Sequence, residues 1–138
     1  MKYETEPPPR DIRLRSFDYA LRAIKLYQHL QGRRDGAGWV LGKQYLRSAT
    51  SIGAKLQEAR SAESRADFIH KCGVALKEAG ESLYWLQLIK ASEIVPKGKL
   101  LDLVKETDEL VSIITSIIKN SKKGKLARAE TVIHTTLE

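Results

Sequence analysis

Apolar residues recur along this chain at three- and four-residue steps, the spacing that lines one face of an α-helix. Phe17, Ala20, Leu21, Ile24, Tyr27 and Leu30 make a first stripe and predict a helix over about 16–31. The next seven residues, 32–38, include Gly32, Gly36 and Gly38. Each glycine in a helix interior costs about 1 kcal/mol relative to alanine, so this stretch reads as a turn. Trp39, Leu41, Leu46, Ala49, Ile52, Gly53 and Leu56 then predict a second helix over about 39–60, with a narrow stripe built partly from small residues.

The third helix, about 65–92, is the most strongly patterned: Ile69, Cys72, Gly73, Leu76, Ala79, Gly80, Leu83, Leu86, Leu88 and Ile89. Ser64 followed by Asp67 resembles a capping pair for its first turn. Val95-Pro96-Lys97-Gly98 stops it, because proline restricts its predecessor and lacks an amide proton. A fourth helix over about 98–120 carries Leu100, Leu103, Val104, Leu110, Val111, Ile113, Ile114, Ile117 and Ile118. No strand-like alternation competes, and the connections are short. The expected fold is all-α, an antiparallel up-down-up-down four-helix bundle over 15–122, flanked by a flexible segment 1–14 and a basic, polar tail 123–138.

The third and fourth helices hold more apolar residues than one narrow stripe needs. Tyr84, Trp85 and Leu88 lie beside the main stripe, and Leu110-Val111, Ile113-Ile114 and Ile117-Ile118 form adjacent pairs. Two readings stand: a wide core, or a second face that meets another copy of the chain. Gly73 and Gly80, one heptad apart, fit close packing within the bundle or between subunits.

A chain of 138 residues with 42% hydrophobic and 30% charged residues is long enough for one core and too apolar for general disorder. No stretch has the roughly 20 consecutive apolar residues of a membrane span, and the start resembles no signal peptide, so a cytoplasmic protein without membrane association is expected. The one cysteine, Cys72, excludes an internal disulfide and sits in the apolar pattern as a core residue.

Charge is unevenly distributed along the chain. Residues 1–62 carry twelve Lys and Arg against six Asp and Glu, residues 63–118 seven against nine, and residues 119–138 five against two. Positive charge therefore concentrates in the first helical pair and the tail. Arg13, Arg15, Arg22, Lys25, Arg33, Arg34, Lys43, Arg47 and Lys55 are candidates for phosphate contacts, with Lys119, Lys122, Lys123 and Lys125 as a loose extension. Such contacts attract a polyanion without reading its sequence. The bland alternative is a solvated surface of lysine and arginine.

Chemistry finds little footing. His29, His70 and His134 are far apart, and Asp67-x-x-His70 alone does not supply the paired Glu-x-x-His set of a di-iron bundle. Glu58, Glu78 and Glu81 can meet across the second and third helices, but helical carboxylates more often pair with neighbouring lysines such as Lys55 and Lys77. No phosphate-binding loop, dinucleotide fingerprint or nucleophile–base arrangement is present. A protein with no enzymatic activity, metal or cofactor is expected.

The run Arg47 to Ala59 with Ser51, Ile52 and Glu58, then Asp67-Phe68-Ile69, Glu78 and Glu81-Ser82-Leu83-Tyr84-Trp85-Leu86, resembles the four-helix-bundle proteins encoded within intervening sequences of bacterial 23S ribosomal RNA genes. The resemblance covers about 17–122. It implies a bacterial four-helix bundle, commonly a ring-shaped homopentamer, related to the accessory variability proteins of diversity-generating retroelements. Those relatives imply partners of two kinds, nucleic acid and a reverse transcriptase. Lys55 stands where the family often has asparagine, and it adds positive charge at that position.

Overall fold

The computed structural model describes residues 7–32, 36–96 and 98–123, with side chains from residue 12 onward. Four helices follow in order: α1 (Pro7–Gln31), α2 (Gly36–Arg60), α3 (Arg65–Ala91) and α4 (Gly98–Lys123). Consecutive helices pack side by side, while α1 and α4 touch sparingly along the seam that completes the bundle. The expected all-α bundle is the fold observed. No described helix is long and apolar enough to cross a membrane.

The helix ends follow local chemistry. α1 begins at Pro7 rather than near residue 16, within the segment expected to be flexible. Its first turn holds three prolines, whose missing amide protons would have no acceptor there anyway. Burial then reaches back to Ile12, which is 3% exposed. Ser64 caps α3: its hydroxyl accepts the Asp67 N–H at 3.0 Å, and the Asp67 carboxylate accepts the Glu63 N–H at 3.1 Å. That pairing, with a further bond from Lys71 at 3.3 Å, occupies Asp67 as a capping residue rather than a partner for His70. After α3, Ile94 and Val95 fold inward and close one end of the core.

Inside, the first helix is turned relative to the expectation. Its buried face is Ile12, Ser16, Tyr19, Ala23, Leu26 and Leu30, whereas Phe17, Leu21 and Ile24 of the predicted stripe point to solvent. Two apolar sets interleave on this helix at the same spacing, and periodicity cannot choose between them. Tyr19 wins the interior because its hydroxyl finds Thr107 there, at 2.6 Å.

Trp39 is likewise exposed, while Gly38, Gly42, Tyr45 and Ser48 join the interior of α2. Leu88 of α3 is also exposed. The paired apolar residues of α4 resolve toward the wide core: Leu110 and Ile114 are buried, and Val111, Ile113, Ile117 and Ile118 pack partly buried against them.

Small residues matter at α1–α2 rather than along α3. A Cβ on Gly42 would come within 3.0 Å of Leu30 Cδ1, and one on Gly53 within 3.3 Å of Ser16 Oγ. At Gly73 and Gly80 it would meet nothing within 4 Å, so neither glycine marks a close seam inside the bundle. Cys72 is buried, and burial pushes its thiol up to about 11, which suits a packing role.

Candidate nucleic-acid interface

The predicted basic residues divide between two seams and the outer faces of α1 and α2. At the α1–α4 seam, Arg15 is clasped by two carboxylates. Its Nε and Nη2 donate to Glu106 at 3.0 and 2.7 Å, and Nη2 also donates to Glu109 at 2.5 Å. These bonds raise the guanidinium pKa further above its ordinary value, so Arg15 stays charged. Arg22, one heptad later and hence on the same flank, is exposed. It lines an open cleft of about 450 Å³ with Arg15, Asp18, Tyr19, Leu21 and Glu106.

At the α2–α3 seam, Arg47 Nη2 lies 2.5 Å from Glu81 Oε2 and Nη1 lies 3.6 Å from Glu78 Oε1. The same Glu81 oxygen accepts the Trp85 indole N–H at 3.0 Å. Arg47 first, and Trp85 after it, hold the Glu81 carboxyl below the usual carboxylate range. Glu78 and Glu81 thus converge on a cation, and neither makes an acid–base pair with Glu58. Glu58 stays on its own helix, where Lys55 Nζ reaches it at 3.5 Å.

The remaining candidates lie farther out. Lys25 is exposed on α1, and Lys43 on α2 sits with Nζ 4.8 Å from the centroid of the Trp39 ring, a cation–π contact. Arg13 is half-buried, and its carbonyl accepts the Ser16 hydroxyl at 3.1 Å. Arg33 and Arg34 lie outside the described residues, as does Lys125. Three of the predicted phosphate ligands, Arg15, Arg47 and Lys55, therefore already face carboxylates, whereas Arg22, Lys25 and Lys43 present outward charge.

The motif residues explain shape. Ile52 is fully buried, and Phe68 packs partly buried against the core. The Ser51 hydroxyl donates to the Arg47 carbonyl at 2.8 Å. Tyr84 is exposed, with its ring edge-on to Trp85 at 5.1 Å between centroids. Among the described residues no three His, Cys, Asp or Glu side chains gather in a metal-holding group.

Glu106 and Glu109 were not among the residues singled out from sequence. Their signal was available as acidic residues three apart on one helix, but nothing local says that Arg15, some ninety positions earlier, lies opposite them. Also unforeseen was the outer face of α1, where Leu14 (63% exposed), Phe17 (63%), Leu21 (46%) and Ile24 (37%) form a continuous apolar stripe.

Comparison with known proteins adds a family. The family model for 23S rRNA-intervening sequence proteins matches residues 11–116. A solved structure of a protein of unknown function from the S23 ribosomal protein family of Bacteroides thetaiotaomicron is 38% identical to this chain, with a TM-score of 0.77. The match covers 81% of this chain and 98% of that one. No curated protein matches.

Proposed function

The chain belongs to the 23S rRNA-intervening sequence protein family, and on that footing we propose that it is a non-enzymatic, self-associating bundle that binds RNA or DNA through its basic surfaces. The observation that carries this reading is the outer side of α1. There an apolar stripe that a lone soluble bundle has no use for runs beside Arg22 and Lys25, cations with no carboxylate partner among the described residues. Copies packed through the stripe would repeat those cations along one polyanion, and linked weak contacts strengthen one another. Lys43, exposed on α2 over the Trp39 ring, adds a cation on the helix that packs along the other flank of α1. Service as an accessory to a larger nucleic-acid enzyme, such as a reverse transcriptase, is the finer form of this reading.

Recognition on this pattern is by backbone charge, so it responds to salt. Fluorescence anisotropy with structured RNA and with single-stranded DNA, from low to moderate salt, tests it. The triple variant R22E/K25E/K43E is expected to weaken binding at least tenfold and to flatten the salt dependence by about two to three phosphate contacts. Unchanged affinity rejects the surface.

The neutralised state of Arg15, Arg47 and Lys55 favours a second reading, a protein-interaction scaffold whose charge serves solubility. Retention of a protein partner after nuclease treatment, by a chain that binds neither nucleic acid, distinguishes it.

A further inference from the structure

Arg47 differs from the other paired cations in how it is held. Its side chain is 52% exposed, against 33% for Arg15, and it bridges from α2 to α3 across the bundle surface. Its partner Glu81 is oriented, because the Trp85 indole N–H and the Arg47 guanidinium converge on the same carboxylate oxygen. Glu78 stands behind, 18% exposed and 3.6 Å from Nη1. A carboxylate presented to a guanidinium in this way offers what a phosphate diester offers, anionic oxygens that accept N–H bonds from the planar fork.

Two features separate this contact from a structural clasp. A half-exposed ion pair is weak and screened by salt, so a competing anion can displace it. Arg15, by contrast, is more enclosed and gives both Nε and Nη2 to Glu106 as well as Nη2 to Glu109, which suits it to joining α1 and α4.

We propose that Glu81, steadied by Trp85 and backed by Glu78, is an autoinhibitory clamp: it occupies the Arg47 guanidinium in the free protein and yields it to a nucleic-acid phosphate. The proposal rests on the nucleic-acid reading above and concerns the regulation of that surface. Its consequence is a threshold, since a short or weakly charged polyanion fails to displace Glu81 whereas a long one recruits an additional cation.

The test is a double-mutant cycle on the full chain, with labelled structured RNA as the probe and affinity measured across salt for wild type, E81Q, R47A and E81Q/R47A. Glutamine keeps the shape of the side chain and an acceptor for Trp85, and circular dichroism checks that helicity is retained. E81Q is expected to bind about fivefold tighter than wild type and to steepen the salt dependence by about one phosphate contact. With a structured RNA too short to displace Glu81, R47A alone should change affinity less than about twofold, because its guanidinium is already held, and E81Q should give little further gain in the R47A background.

An equal gain from E81Q with and without Arg47 overturns the clamp, since net charge then explains it. Wild-type binding with no gain in E81Q overturns the clamp and leaves the nucleic-acid reading intact. Absence of salt-sensitive binding by all four proteins overturns both.

Discussion

Hydroxyl groups occupy the middle of the interior, where a bundle of this size would ordinarily place aliphatic side chains. Ser16, Ser48, Ser82 and Thr107 are all at most 1% exposed, and Tyr19 and Tyr45 are fully buried. Most of these groups are satisfied. Thr107 donates to the Leu103 carbonyl at 2.6 Å, which leaves its oxygen to accept the Tyr19 hydroxyl proton, and Ser48 meets Ser82 at 2.8 Å across α2 and α3.

Tyr45 is the exception: its ring packs edge-on to Tyr19 at 6.3 Å, and its hydroxyl faces that of Tyr19 without forming a hydrogen bond of good geometry. Burial drives its pKa well above the ordinary tyrosine value, so it stays protonated. A satisfied buried hydrogen bond is worth about 1 kcal/mol, while an unsatisfied buried hydroxyl carries a desolvation cost of about 1–3 kcal/mol. The two tyrosines should therefore respond oppositely to loss of oxygen. Y19F is expected to lose about 1 kcal/mol and Y45F to be neutral or to gain about 1 kcal/mol, read from urea midpoints at unchanged m-value. Equal losses at both sites would refute the assignment.

Among the elements, α1 and the end of α3 depart most from simple expectation. α1 is apolar on two opposite faces, and its buried face contains Ser16 and Tyr19, residues that a hydropathy pattern counts as polar or ambiguous. The visible stripe of Phe17, Leu21 and Ile24 therefore pointed to the wrong side of a helix whose end, though not its start, the pattern located. The bounds of α3 were legible to within a residue, because the Ser64 cap and the turn before Pro96 are local signals.

Just past its C-terminus, however, stands a residue that sequence would not flag. Glu93 takes φ 60°, the left-handed region that costs a residue with a Cβ about 1–2 kcal/mol, while its N–H bonds the Lys90 carbonyl at 3.1 Å. E93G is expected to stabilise the protein by about 1 kcal/mol, since glycine takes this conformation without the Cβ clash and Glu93 is exposed. A denaturation midpoint that falls in E93G would contradict that account.

At the scale of the whole molecule, α1 and α4 form the loosest of the bundle's four seams. α1 meets α4 through Arg15 with its two glutamates outside and Tyr19 with Thr107 inside. The outer side of α1 meanwhile carries apolar residues exposed among the described residues. Full burial of a large aliphatic or aromatic side chain is worth roughly 1.5–3 kcal/mol, so covering Leu14, Phe17, Leu21 and Ile24 offers a substantial drive to association. Light scattering after size exclusion should find wild type larger than a monomer, and F17E/L21E monomeric with unchanged helicity. A wild-type monomer at all micromolar concentrations would remove self-association from the proposed function.

Helix number, approximate spans and class were present in the spacing of apolar residues and in the capping and stop signals, because both act over a turn or two of backbone. Basic character was equally open to inspection, being a matter of composition. Which face of α1 turns inward, which cations other than Lys55 are neutralised and which glycines sit at a close approach depended on partners twelve to ninety-four residues away. Those choices are made by packing, where a hydroxyl or a guanidinium goes to the side that supplies its counterpart, and no local pattern records where that counterpart will be.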